Sequence, residues 1–239
     1  MQSPLRSTLS VVGLLSCAFL LTSTGAQEYP HAYPREGVTK IFENDRGIAW
    51  DVHWLPGIPQ PYHRHQYDMA GVYLRYGPIS VTQLDGSVNP QRPPFDIPRP
   101  YFQQKGVTHK EEMIGFPDDA PQRWAVMFDL KEVDEAPAEI PMGMSAFFPR
   151  NGAEARIDNE RVTHWDYTWE IGEEAERHMH HKDSVQVFYQ AGSIQFTDAD
   201  GNVRTEEFAY GDVRYIEAGT IDSEVAISGP PKAITIELK

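Results

Sequence analysis

The sequence of 239 residues predicts an all-β protein made of two similar domains in tandem. Residues 44–86 lie over residues 159–201 at a constant offset of 115, without a gap. Short runs rich in β-branched and aromatic residues, bounded by glycine, recur in both copies. Beyond the N-terminal 26 residues, no segment carries an apolar stripe of period 3.6 over a helical length.

The repeat is specific in kind as well as in length. Asn44, Arg46, Trp50, Asp51, Trp54 and Gly57 fall on Asn159, Arg161, Trp165, Asp166, Trp169 and Gly172. His63, His65 and Asp68 fall on His178, His180 and Asp183, and Asp85-Gly86 falls on Asp200-Gly201. The two Asp-Gly pairs are hairpin turn signals, because glycine accepts the positive φ of a tight turn. GVYLRYG and SVQVFYQAG read as strands, and ITIEL near the C-terminus alternates with period two. The domains are therefore expected at 36–131 and 154–239, of sandwich or barrel type. Residues 132–153, rich in Pro and Ala, are expected to be a linker that packs on the barrels through Phe147 and Phe148.

The first 26 residues read differently. A lone Arg6 precedes an apolar stretch from Val11 to Leu21, and small residues close it at Thr24-Gly25-Ala26. This is the three-part pattern of a secretory signal, with an apolar part too short to span a bilayer, so residues 1–26 are expected to be removed. Cys17 follows Leu14-Leu15-Ser16 as in a lipobox, but the apolar run continues past it, which argues against lipidation. Removal of the signal leaves a chain without cysteine, which excludes disulfides, thiolate ligands and a cysteine nucleophile. The expected location is periplasmic or secreted, with no stable membrane association after removal of the signal. A formal charge of −14 argues against nucleic acid as a partner, since phosphate binding needs clustered cations.

Side chains two residues apart on a strand share a face, about 7 Å apart. His63 and His65 therefore face together, as do His178 and His180. Each pair could bridge a divalent ion if a third ligand arrived from another strand.

Gly57-x5-His63-x-His65 with Gly77 resembles the first motif of the cupin superfamily, and Gly172-x5-His178-x-His180 with Gly192 resembles it again. Gly106-Val107-Thr108-His109 is similar to the end of the second cupin motif, and its counterpart is Gly219-Thr220-Ile221-Asp222. The resemblance implies a bicupin, two double-stranded β-helices of the jelly-roll type. It further implies that His63, His65 and His109 converge on a metal such as Fe, Mn, Ni, Cu or Zn. In the second barrel it leaves His178, His180 and Asp222, a two-His-one-carboxylate set of the kind that suits non-haem iron. The chain departs from the family at the glutamate, whose place is taken by Met69 and Ser184. Asp68 would become a fourth ligand only if a bulge turned it inward; a carboxylate of Glu111 or Glu112 is the other candidate.

The remaining polar and aromatic residues read as scaffold. Trp50, Trp54, Trp165 and Trp169 are expected in the core or the pocket walls, and Tyr62, Tyr67 and Tyr73 to pack around the histidine pair. His53 is expected to line the pocket or pair with a core tyrosine, and His181 to point outward. No phosphate-cradling loop or Gly-x-Ser-x-Gly elbow is present. The expectation is an exported, metal-dependent enzyme acting on a small organic molecule in the first barrel, as a monomer or homodimer. The alternatives are a non-catalytic barrel that binds a small ligand, and a structural protein with degenerate sites.

Overall fold

The computed structural model describes residues 27–89, 93–115, 122–134 and 136–239. The secretory signal expected at 1–26 lies outside the described residues. Eight strands form the first barrel: β1 (Val38–Glu43), β2 (Gly47–Trp54), β3 (Gln60–Arg64), β4 (Asp68–Arg75), β5 (Ile79–Gln83), β6 (Arg99–Gln103), β7 (Thr108–Met113) and β8 (Arg123–Leu130). Ten follow: β9 (Ser145–Ala146), β10 (Glu154–Asp158), β11 (Val162–Thr168), β12 (Glu174–Met179), β13 (Ser184–Gln190), β14 (Gly192–Asp198), β15 (Val203–Phe208), β16 (Val213–Ile216), β17 (Ile221–Ser228) and β18 (Lys232–Leu238).

Each barrel is two sheets laid face to face. One sheet runs β1-β2-β8-β4-β6 in the first barrel and β10-β11-β18-β13-β16 in the second, the same order in corresponding strands. The other runs β3-β7-β5 in the first barrel and β15-β14-β17-β12-β9 in the second. The all-β, two-barrel architecture expected from the repeat is present.

The sheets β1-β2-β8-β4-β6 and β10-β11-β18-β13-β16 bury both faces of their central strands. Ala70, Val72, Val126 and Phe128 point out of the first barrel and share one buried cluster with Val185, Val187, Ile234 and Ile236 of the second. Alternation sends their neighbours Met69, Tyr73, Ala125 and Met127 into the first barrel's interior. Strands β4 and β8 are therefore buried almost end to end, like the strands of a sheet covered on both sides. Two crossed ion pairs flank this interface, Arg46 with Asp183 at 3.1 Å and Arg161 with Asp68 at 3.0 Å. The arginines and the aspartates are each related by the offset of 115.

The repeat extends further back in space than the sequence comparison reached. His31 pairs in parallel with Arg64, and Ala146 with Met179, the same positions at the same offset. Ala32 and Tyr33 thus belong to the first barrel's core, and Phe147 and Phe148, from the end of the expected linker, to the second's.

His164 stands where the first copy has Ala49 and faces the inter-barrel cluster, fully buried. Burial pushes its imidazole down to about 4, whereas in the unfolded chain it titrates near its ordinary value of about 6.5. Between these values the unfolded state binds the extra proton, so stability is lost as pH falls from about 6.5 to about 4. His164→Leu is expected to remove on the order of 3 kcal/mol of this acid-induced loss, measured as the change in urea-unfolding free energy between neutral pH and about pH 4. The inter-barrel contact is equally open to test: Ile236→Ala is expected to destabilise the protein by about 2–5 kcal/mol in the same assay.

Candidate metal centre

In both copies the ladder slips just before the histidines, between Gln60 and His63 and between Ala175 and His178. This bulge re-aims the strand and sets His63 directly opposite His109, and His178 directly opposite Asp222. The turn that delivers the third residue is tied to the second histidine. Gly106 N–H donates to His65 O and Gly219 N–H to His180 O, both at 2.7 Å. These glycines have φ near +90°, the left-handed region that disfavours a side chain.

The three histidines of the first barrel meet. His63, His65 and His109 are at most 5% exposed, and one ring nitrogen from each lies within 4.8 Å of the others. His63 Nδ1 donates to Pro61 O at 3.0 Å, and His178 Nδ1 to Glu176 O at 2.8 Å. That bond fixes the tautomer and leaves Nε2 with a free lone pair. Both ring nitrogens of His65 and Nε2 of His109 are buried without a hydrogen-bond partner, an arrangement that a metal ion would satisfy. Burial lowers the pKa of His63, and it brings His65 down to about 3 with help from the neighbouring imidazoles. Both rings are thus in the neutral form that coordinates metal.

Among the carboxylates of the first barrel, Glu111 reaches the cluster and Asp68 does not. Glu111 Oε1 is 3.4 Å from His109 Nε2, and Oε2 accepts from Trp54 Nε1 at 2.7 Å. Burial would raise its pKa, but the His109 and His63 imidazoles and the Trp54 indole outweigh this and hold it below the usual carboxylate range. Glu112, next along the strand, points to solvent. Asp68 corrects the expectation of a fourth ligand: its carboxylate accepts Lys105 N–H at 2.8 Å and pairs with Arg161. The bulge lies ahead of the histidines and not at Asp68, so ordinary alternation keeps this residue off the site.

The second barrel gathers a different set. His178, His180, Asp222 and Glu224 each bring a ligand atom within 4.8 Å of the rest. Asp222 Oδ1 is 3.1 Å from His178 Nε2 and 3.6 Å from His180 Nε2. Burial would raise the Asp222 pKa, but the two imidazoles more than offset it and keep the group ionised. Sequence reasoning missed Glu224. The signal was present, because the offset of 113 that relates Gly106 to Gly219 also relates Glu111 to Glu224. Trp169 Nε1 donates to Glu224 at 2.6 Å, as Trp54 does to Glu111.

Surroundings separate the two sites. A cavity of about 180 Å³ reaches His109 and Glu111, and a smaller void touches Ala32, His63 and His65. At Ala32's position the second barrel carries Phe147, whose ring centroid lies 4.5 Å from that of His178 and 4.6 Å from that of His180. The tyrosine expectations hold in part: Tyr73 lines the cavity, while Tyr62 donates to Gln83 O. His53 neither lines the cavity nor meets a tyrosine. It stacks on Trp124 with ring centroids 5.5 Å apart and pairs with Asp51. His181 is half-buried and not fully outward, its carbonyl accepting Ala138 N–H at 2.7 Å.

The fold is like that of solved cupin barrels, here two in one chain, and each barrel holds a group of side chains that could bind a metal. AerE from Microcystis aeruginosa is similar over 88% of this chain and 98% of its own, with TM-score 0.60 and 11% identity. A cupin 2 conserved barrel domain protein from Leptotrichia buccalis covers 84% of this chain and 88% of its own, with TM-score 0.51 and 10% identity. Oxalate decarboxylase of Bacillus subtilis, described with Mn(II) centres, covers 81% of this chain and 69% of its own, with TM-score 0.51 and 14% identity. No family model and no curated protein matches the sequence.

Phe147→Ala is expected to destabilise the protein by about 3–5 kcal/mol and to open the second site. Modification of His178 and His180 by diethylpyrocarbonate, followed by peptide mass spectrometry, should then rise above the wild-type level.

Proposed function

We propose that this chain is an exported, metal-dependent enzyme that acts on a small organic molecule in the first barrel. The reading rests on one observation: three buried imidazoles bring one ring nitrogen each to a common point beside a cavity, and those of His65 and His109 lack a hydrogen-bond partner. His63, His65 and His109 hold the ion, with Glu111 the carboxylate at its side. A divalent ion held there supplies a Lewis acid that polarises a substrate oxygen or activates water or dioxygen. The neutral imidazole set accepts Fe, Mn, Ni, Cu or Zn, and manganese has support from the centres of the similar oxalate decarboxylase fold.

The chain's own residues shape the rest. His63 is oriented by the Pro61 carbonyl, and Glu111 by the Trp54 indole. Tyr73 and Tyr101 wall the cavity and limit it to small molecules. The second barrel holds a further ion on His178, His180, Asp222 and Glu224, closed from substrate by Phe147. The N-terminal signal directs the protein to the periplasm or the medium.

Metal analysis of the purified, repleted protein tests this reading. Wild type is expected to carry two ions per chain, and His63→Ala/His65→Ala to carry one and lose turnover. A wild-type protein free of transition metal, or a double variant with undiminished metal, would overturn the assignment.

A further inference from the structure

The first barrel contains a buried arginine that meets no carboxylate among the described residues. Arg123 opens β8 opposite Trp54 and is 7% exposed. Its guanidinium carbon lies 4.2 Å from the ring centroid of Tyr73 and 5.4 Å from those of Trp54 and Phe95. Nη1 donates to Gly77 O at 2.9 Å, while Nε is buried without a partner. Among the described residues no carboxylate comes within ion-pair distance of it, in a chain with 35 acidic residues. Two other arginines that are mostly buried do have such partners: Arg46 meets Asp183, and Arg214 lies 3.9 and 3.7 Å from Asp222 and Glu224; Arg35 instead donates to the carbonyls of Glu36 and His53.

A charge held out of water without a counter-charge is unfavourable, and an arriving anion relieves it. Arg123 lines the same cavity as His109 and Glu111. Tyr73, Tyr76, Phe95 and Tyr101 form an aromatic wall around that cavity, suited to a flat body. The position is peculiar to this barrel, because Pro231 stands opposite Trp169 in the second. A single guanidinium fork matches one carboxylate, and a volume of about 180 Å³ admits a ring or a short chain.

We propose that Arg123 anchors the carboxylate of a small, flat, monoanionic substrate whose other end faces His63, His65 and His109. This deepens the metal-enzyme reading and rests on it for the reacting end alone. The anchor is a matter of binding and can be tested without turnover.

The experiment titrates the full chain with benzoate, its neutral analogue benzamide and inorganic phosphate, followed by tryptophan fluorescence, before and after metal removal with EDTA. Benzoate is expected to bind about tenfold or more tightly than benzamide. Arg123→Gln is expected to abolish that preference with benzamide affinity and metal content unchanged, and Arg123→Lys to keep part of it. Equal binding of benzoate and benzamide by wild type overturns the proposal, and this comparison needs no variant to fold. A preference that survives in Arg123→Gln, or that vanishes when EDTA strips the metal, places the anion on the ion and overturns it too. Tighter binding of phosphate overturns the carboxylate assignment. A protein found without metal that still prefers benzoate keeps the anchor and removes only the metal reading.

Discussion

Two sheets, one from each barrel, share a single apolar seam, and the rest of the architecture follows from it. Each sheet buries β-branched and aromatic side chains on its outer face, where only the other sheet covers them. A fully buried side chain of this size contributes about 1.5–3 kcal/mol relative to exposure, so neither barrel could present this face to water without a large loss. With both faces of β4 and β8 buried, the metal-site side chains sit on the facing sheet. His63 and His109 lie there on β3 and β7, and His178 and Asp222 on β12 and β17, with His65 and His180 just past the ends of β3 and β12.

Around the seam the two copies keep the same framework. The crossed pairs Arg46–Asp183 and Arg161–Asp68 repeat across it. Four tryptophans donate indole N–H groups to four acids, Trp50 to Asp129, Trp54 to Glu111, Trp165 to Glu237 and Trp169 to Glu224. The contents of the barrels have diverged on this common frame. His109 became Asp222, Tyr73 became Phe188 and Ala32 became Phe147. The last two exchanges fill the second interior with rings that pack on one another, such as Phe188 and Phe208 at 3.9 Å. The first interior keeps its hydroxyls, Arg123 and its open volume.

Much of this was legible in the sequence. The gap-free repeat fixed the number of domains, and alternation along a strand placed His63 with His65 and His178 with His180. The likeness of Gly106-x-x-His109 and Gly219-x-x-Asp222 to a cupin motif pointed to His109 and Asp222, and both glycines take the positive φ of that turn. Whether a bulge turned Asp68 inward was not legible in the sequence; its backbone position gives it to Arg161 and the Lys105 amide. Glu224 escaped notice because the first and second halves of the repeat run at different offsets. The limit at residue 36 came from similarity, whereas His31 to Tyr33 join the barrel by backbone pairing and burial that leave no shared residue pattern.

The amino-acid order by itself determined the all-β class, the duplication and the two histidine pairs, since these depend on period and spacing within a few residues. Tertiary structure alone decided which carboxylates stand beside the imidazoles, that Phe147 covers one pair while Ala32 leaves the other open, and that Arg123 meets no carboxylate among the described residues. Those outcomes depend on side chains brought together from distant strands. Their distances are set by sheet packing and by bulges in the ladder, which no local pattern encodes.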